Sequence, residues 1–354
     1  MEEYKSDEIA AVLRSSNLNK RRYLTTLAGL TAILVAVILA SLVLGRFSMS
    51  IIDAVKIILS PFFPIRATWD GTMEAVIFKL RLPRICAASL VGGALALSGA
   101  SYQSMFKNPM VSPDILGVSS GAAFGASLAI FWGMGHSTIQ LWAFAGGIAA
   151  VTLTAMVPKM MKSSSTIILV LAGIIVGGLM TSLMGILRYF ADPDTALAEM
   201  IYWAMGSFAS IKKTDLVSMT PGIIICAAVL LLIRYRLNVM SLGEDEAKTL
   251  GLNIRQTRNV IIFCSTLLTA SSVCMAGTIG WVGLVIPHLG RMLVGPDNRR
   301  LLPATLIMGS AFMVIIDTLA RTLTAAELPI SIITGIIGAP FYLYLLLKQR
   351  TRLQ

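Results

Sequence analysis

RLPRICAASLVGGALALSGASYQSMFKNPMVSPDILGVSSGAAFG, residues 81–125, decides the fold class. From Ile85 to Phe106 no side chain is charged, enough length to cross a hydrocarbon core of about 30 Å. The span is rich in Gly, Ala and Ser and carries Tyr102 and Gln103 near its end. Lipid does not demand that composition. Small residues let helices approach closely, and hydroxyl and amide groups bond across a bundle. A break at Lys107-Asn108-Pro109 follows, then a second small-residue helix. The stretch reads as part of a tightly packed polytopic membrane protein with a path through it.

The rest of the chain agrees. Of 354 residues, 56% are hydrophobic and only 13% charged, far from a soluble domain. Uncharged runs fall at 24–44, 85–106, 115–158, 163–187, 216–233, 259–290, 301–316 and 328–347. Two are too long for one crossing. The run 115–158 divides at Gly133-Met134-Gly135-His136, and 259–290 divides near Gly277–Gly280. The expectation is therefore all-α, with about ten transmembrane helices. The ninth must extend past Asp317 to reach the other side. With the N-terminus inside, 19 of the 29 Lys and Arg fall on the inner side, so the positive-inside rule places both termini in the cytoplasm. No cleavable signal peptide is expected, because a polar segment precedes the first span. The net charge of +11 is mainly a topology signal. Basic residues scattered over short loops without aromatic interleaving argue against a nucleic-acid partner.

Several motifs admit two readings. Asn108-Pro109 serves as a turn whatever else it does. His288, within GLVIPHLGR at 283–291, has no ligand-spaced companion, which disfavours a metal. The four cysteines all lie in apolar spans without a CxxC pair and read as small hydrophobes. In the inner loop at about 237–257, Glu244, Asp245 and Glu246 open a short helix whose N-terminus favours acids. Lys248 lies four residues beyond Glu244, and Gly251 is placed to stop the helix. Glu244–Leu250 is either a surface connector or a docking helix. Asp317 and Arg321 share a helix face, as a local ion pair or as an Arg offered to an acidic partner. Arg81, Arg84 and Arg321 all fall on the outer side, where they suit either docking or lipid phosphate. There is no Walker A, GxSxG or HExxH sequence and no catalytic carboxylate pair. The chain is not expected to be an enzyme or to hydrolyse ATP itself.

Together, RLPR at 81–84, LVGGALALSGASYQ at 90–103, NPMVSPDILGVSSGA at 108–122, YWAMGSF at 202–208, LGEDEAKTLGL at 242–252, GTIGWVGLVIPHLGRMLVG at 277–295 and ELPISIITGIIGAPFYLYLLLK at 327–348 resemble the FecCD family. These are permease subunits of ABC importers for iron-siderophores, haem and vitamin B12. The resemblance covers about residues 30–348. It implies a vitamin-B12-importer-like, type II permease fold. It also implies a homodimer with the pathway on its two-fold axis, two cytoplasmic ATPase subunits, and an extracytoplasmic binding protein. Arginines matching Arg81, Arg84 and Arg321 would receive the binding protein's acids. Leu242, Gly243, Glu244, Asp245, Ala247, Leu250 and Gly251 would couple to the ATPase. Ser165 and Thr166 would form the inner gate, beside a path lined by the fifth span, the short helix after it and the tenth span.

The expected organisation is a cytoplasmic segment 1–22, a permease domain 23–348 and a cytoplasmic tail 349–354. No cofactor is expected in this chain; ATP and Mg belong to the partner. The expected setting is the bacterial cytoplasmic membrane. The leading function is import of an iron(III)-siderophore-type chelate, with haem or a corrinoid as the alternative. A stand-alone secondary transporter would need intramembrane acids, and Asp317 is its only candidate.

Overall fold

The computed structural model describes residues 2–45, 47, 49–162 and 165–350. The side chains of residues 1–19, 244, 345, 346 and 348–350 lie outside the description. Fifteen α-helices follow in chain order: α1 Glu2–Val43, α2 Ile51–Leu59, α3 Gly71–Ala75, α4 Leu82–Met105, α5 Val118–Phe131, α6 His136–Met160, α7 Thr166–Phe190, α8 Ala196–Met205, α9 Lys213–Leu232, α10 Arg234–Leu242, α11 Glu244–Thr249, α12 Ile254–Ala276, α13 Val282–Val294, α14 Asn298–Thr322 and α15 Ile330–Arg350. A π-helical turn, Val76–Arg81, joins α3 to α4, and a 3-10 turn, Pro113–Leu116, precedes α5. No strand occurs among the described residues.

Seven helical stretches are long and apolar enough to cross a membrane, and α5, α13 and the apolar part of α15 are three shorter ones. A helix thus stands at each of the ten places where a span was expected, seven of them long enough to cross. The two long uncharged runs break where glycine permits. Gly133 has φ 65° between α5 and α6, and Gly277 has φ 72° after α12. α14 continues past Asp317 to Thr322. The polar N-terminal segment and the first span are one unbroken helix, α1.

α4 is the central post. Residues Val91 to Tyr102 are all buried, and the small side chains explain why. A Cβ added to Gly92 would lie 2.2 Å from the Gly309 carbonyl oxygen of α14, and one on Gly99 would lie 2.0 Å from that of Gly283 in α13. Backbones this close leave room only for hydrogen at these sites, the arrangement that small-residue membrane helices favour. Polar groups fasten the remaining faces. Tyr102 Oη sits 3.2 Å from Thr266 Oγ1 of α12. Gln103 Nε2 donates to the carbonyls of Val111 (3.2 Å) and Gly283 (3.1 Å), and its Oε1 accepts from Arg291.

The segment after α7, expected on the outer side, folds as α8, ends at Gly206, and is stitched to two later elements. Ser207 donates its amide to the Ala276 carbonyl (2.9 Å), and Ile330 donates to that of Gly206 (3.0 Å). The α8 end, the α12–α13 break and the start of α15 therefore meet at one level.

Candidate functional site

Arg81, Arg84 and Arg321 come together from three parts of the sequence. The π turn ends at Arg81, and Arg84 lies in the first turn of α4. Arg321 ends α14. A Cβ on Gly45 would be 3.0 Å from both Arg81 Nη2 and Arg321 Nη1. The two guanidinium groups therefore flank one short piece of backbone just after α1.

None of the three is the freely exposed side chain that the sequence reading offered to a partner. Arg81 is 6% exposed and donates to the carbonyls of Leu42, Val43 (3.2 Å) and Phe47. Arg321 donates to the Ser41 carbonyl and to Ser41 Oγ (2.8 Å). Both arginines satisfy the orphan carbonyls at the C-terminus of α1, where the helix dipole favours cations. Arg84 holds two acids. Its Nε lies 2.7 Å from Asp317 Oδ1, and its Nη1 lies 2.8 Å from Glu327 Oε2. Asp317 is fully buried and also faces Arg321 Nε at 3.9 Å. Three cations against two carboxylates leave the cluster net positive. Glu327, with 34% of its side chain exposed, is more open to solvent than Arg84 at 12% or Arg321 at 10%. The sequence reading missed Glu327 and Ser41 as partners. The one available signal was the acid that begins ELPI just before α15.

The loop expected to couple lies at the other end of the molecule. α4, Leu82–Met105, carries Arg84 in its first turn, and α14, Asn298–Thr322, carries Arg321 in its last. Met105, Phe106 and Lys107 line a pocket of about 200 Å³ with Met240 and Gly243. Asn238 of α10 bonds Asp297 at the start of α14. The 24 residues of α4, at 1.5 Å each, separate the two sites by about 36 Å.

Within that loop α11 forms as expected, with Leu250 as its C-cap and Gly251 at φ 77°. Ala247 is fully buried, whereas Leu242 and Leu250 are each 63% exposed. Lys248 pairs with Asp245 at 3.1 Å. The expected pairing with Glu244 involves a side chain outside the described residues. Ser165 is the N-cap residue of α7 and Thr166 its first residue. Both are half-buried and line a cleft of about 930 Å³ between α6, α7, α11 and α12.

α7 packs Gly173 against Ile115 and Leu116. Its other side exposes Ile167, Leu171, Ile174, Ile175, Leu179 and Ile186. On α15, Ile332, Ile336, Ile337 and Leu343 are likewise uncovered. Among the described residues no group of three or more His, Cys, Asp or Glu is placed to hold a metal ion.

The sequence profile of the FecCD transport family matches residues 33–348. The molybdate import system permease protein MolB of Haemophilus influenzae is 40% identical over 326 residues, spanning 92% of this chain and 96% of its own. The cobalamin import system permease protein BtuC of Halobacterium salinarum is 40% identical over 291 residues, 82% of this chain and 78% of its own. A solved inward-facing conformation of a metal-chelate type ABC transporter superposes with a TM-score of 0.82 at 40% identity, covering 92% of this chain and 99% of that one.

Proposed function

The chain belongs to the FecCD transport family of ABC importer permeases, and from that premise we propose that it carries an iron(III)-siderophore-type chelate inward as half of a homodimer. One observation carries the reading. The chain has an arginine cluster at one end of α4 and a short helical loop at the other. These are two candidate docking ends, joined through a rigid post. The outer end would receive acids of a soluble binding protein, and α11 would seat on an ATPase subunit. ATP hydrolysis belongs to that subunit. The uncovered apolar faces of α7 and α15 suit a pathway shared between two copies, with Ser165 and Thr166 at its inner end. Both termini lie in the cytoplasm on the charge distribution, and the setting is the bacterial cytoplasmic membrane.

The identity to a molybdate permease over 92% of the chain favours a second cargo, a molybdenum oxyanion; the cobalamin relative covers less of the chain. Metal analysis and the absorbance spectrum of the cognate binding protein separate these. Iron with a chelate band supports the first reading, molybdenum the second, and cobalt a corrinoid. Co-purification of the permease with an ATPase subunit tests the importer role itself. Cargo import that persists without any ATPase subunit would overturn it.

A further inference from the structure

We propose that the cleft between α6, α7, α11 and α12 binds one anionic phospholipid of the inner leaflet. The cleft encloses about 930 Å³, the size of a site for a sizeable ligand. Its lining changes character along its length. Lys159, Lys162, Lys248, Arg255 and Arg258 gather at one end. Ile148, Val151, Ala155, Met156, Ile262 and Phe263 line the other. From Ile148 to Met160 the helix rises about 18 Å, which exceeds the depth of one leaflet, about 15 Å. No Asp or Glu lines the cleft among the described residues.

A small anion would match the basic end and leave the apolar end wet. A neutral lipid would match the apolar end and offer no charge to Lys159, Lys162 and Arg255. An amphiphile with a phosphate head and acyl tails matches both. Lys248 is already paired with Asp245 at 3.1 Å. Lys159, Lys162 and Arg255 are exposed and form no ion pair among the described residues. Basic pockets between helices on the cytoplasmic side are where anionic headgroups bind, at about 1 kcal/mol per Lys or Arg near the surface. Ser165 and Thr166 also border this cleft, so the inference rests on the cytoplasmic placement of this end proposed above and sets the lipid beside the residues of the inner gate.

The test is native mass spectrometry of the full-length purified chain with phosphatidylglycerol or phosphatidylcholine of identical acyl chains. The expected result is retention of one phosphatidylglycerol in preference to phosphatidylcholine. Each of Lys159→Gln, Lys162→Gln and Arg255→Gln should lower that retention about fivefold. Charge-keeping Lys159→Arg and Lys162→Arg should preserve it. Ala155→Trp, which blocks the apolar depth and leaves every cation, should abolish it. Equal retention of the two lipids would overturn the proposal. So would indifference to the triple Gln variant, competition by inorganic phosphate as strong as by the lipid, or displacement of the lipid when an ATPase subunit binds. The last outcome would assign the cleft to the ATPase interface and leave the importer role standing.

Discussion

At the residue scale, the outer cluster turns on what Arg84 already holds. Its two acids are not equivalent. Asp317 is fully buried, and removing its charge leaves Arg84 with only the exposed Glu327 and takes from Arg321 the carboxylate it faces. Losing one partner of a buried pair destabilises by about 3–5 kcal/mol. Asp317→Asn should therefore lower the unfolding midpoint of the detergent-purified protein clearly, and an unchanged midpoint would show that the pair contributes nothing. Glu327 is the exposed member, and on the docking reading it competes with a binding protein's carboxylate for Arg84. An exposed pair is worth about 0.2–1 kcal/mol, so Glu327→Gln should tighten binding-protein capture about 1.5- to 5-fold at low salt. Weaker capture would mean that Glu327 itself contacts the partner. Arg81, Arg84 and Arg321 were legible in the sequence as an outer-side set. Their inward engagement was not, because Arg81 reaches carbonyls 38 and 39 positions earlier. No local pattern encodes a pairing that depends on where α1 ends in space.

At the scale of elements, what composition showed best was packing. Glycine and alanine in 91–100 implied close approach, and α4 is the buried post. The test pits two glycines against each other. Gly99→Ala puts a methyl group 2.0 Å from a backbone oxygen that cannot rotate away, and overpacking of this kind destabilises by about 1–3 kcal/mol or more. Gly29→Ala on α1 meets nothing within 4 Å and should be neutral or slightly stabilising. Equal midpoints for the two variants would contradict the close α4–α13 contact. α11 was legible too, from its acidic first turn and terminal glycine. Which acid pairs with Lys248 was not, since positions three and four residues away are both neighbours on a helix. Glu244→Lys with Asp245→Lys breaks the Asp245–Lys248 pair and reverses the charge at the helix start. We expect uptake to be lost while the protein still inserts. Normal uptake and ATPase association would make α11 a connector only.

At the scale of the whole molecule, the uncovered surfaces divide into two kinds. α1, with only 11% of its apolar window buried, exposes Leu24, Ile33 and Val35 and carries a single glycine, Gly29. α7 combines an exposed isoleucine and leucine stripe with Gly178 and Gly185, which have open space beside them. Glycines on an exposed face gain nothing from lipid but allow a second helix to approach. On the homodimer reading proposed above, this composition favours α7 over α1 as the face for the partner copy, with Ser165 and Thr166 at the inner end of the shared seam. Small hydroxyl side chains there let two copies of the α7 N-terminus come close. Cysteines introduced as Ser165→Cys or Thr166→Cys should cross-link between copies in membranes that carry the ATPase subunit, and nucleotide should change the yield. Ile33→Cys on α1, exposed but facing lipid on this reading, should not cross-link. Cross-linking through Ile33 and none through either α7 site would move the seam, and the gate with it, to another face of the bundle.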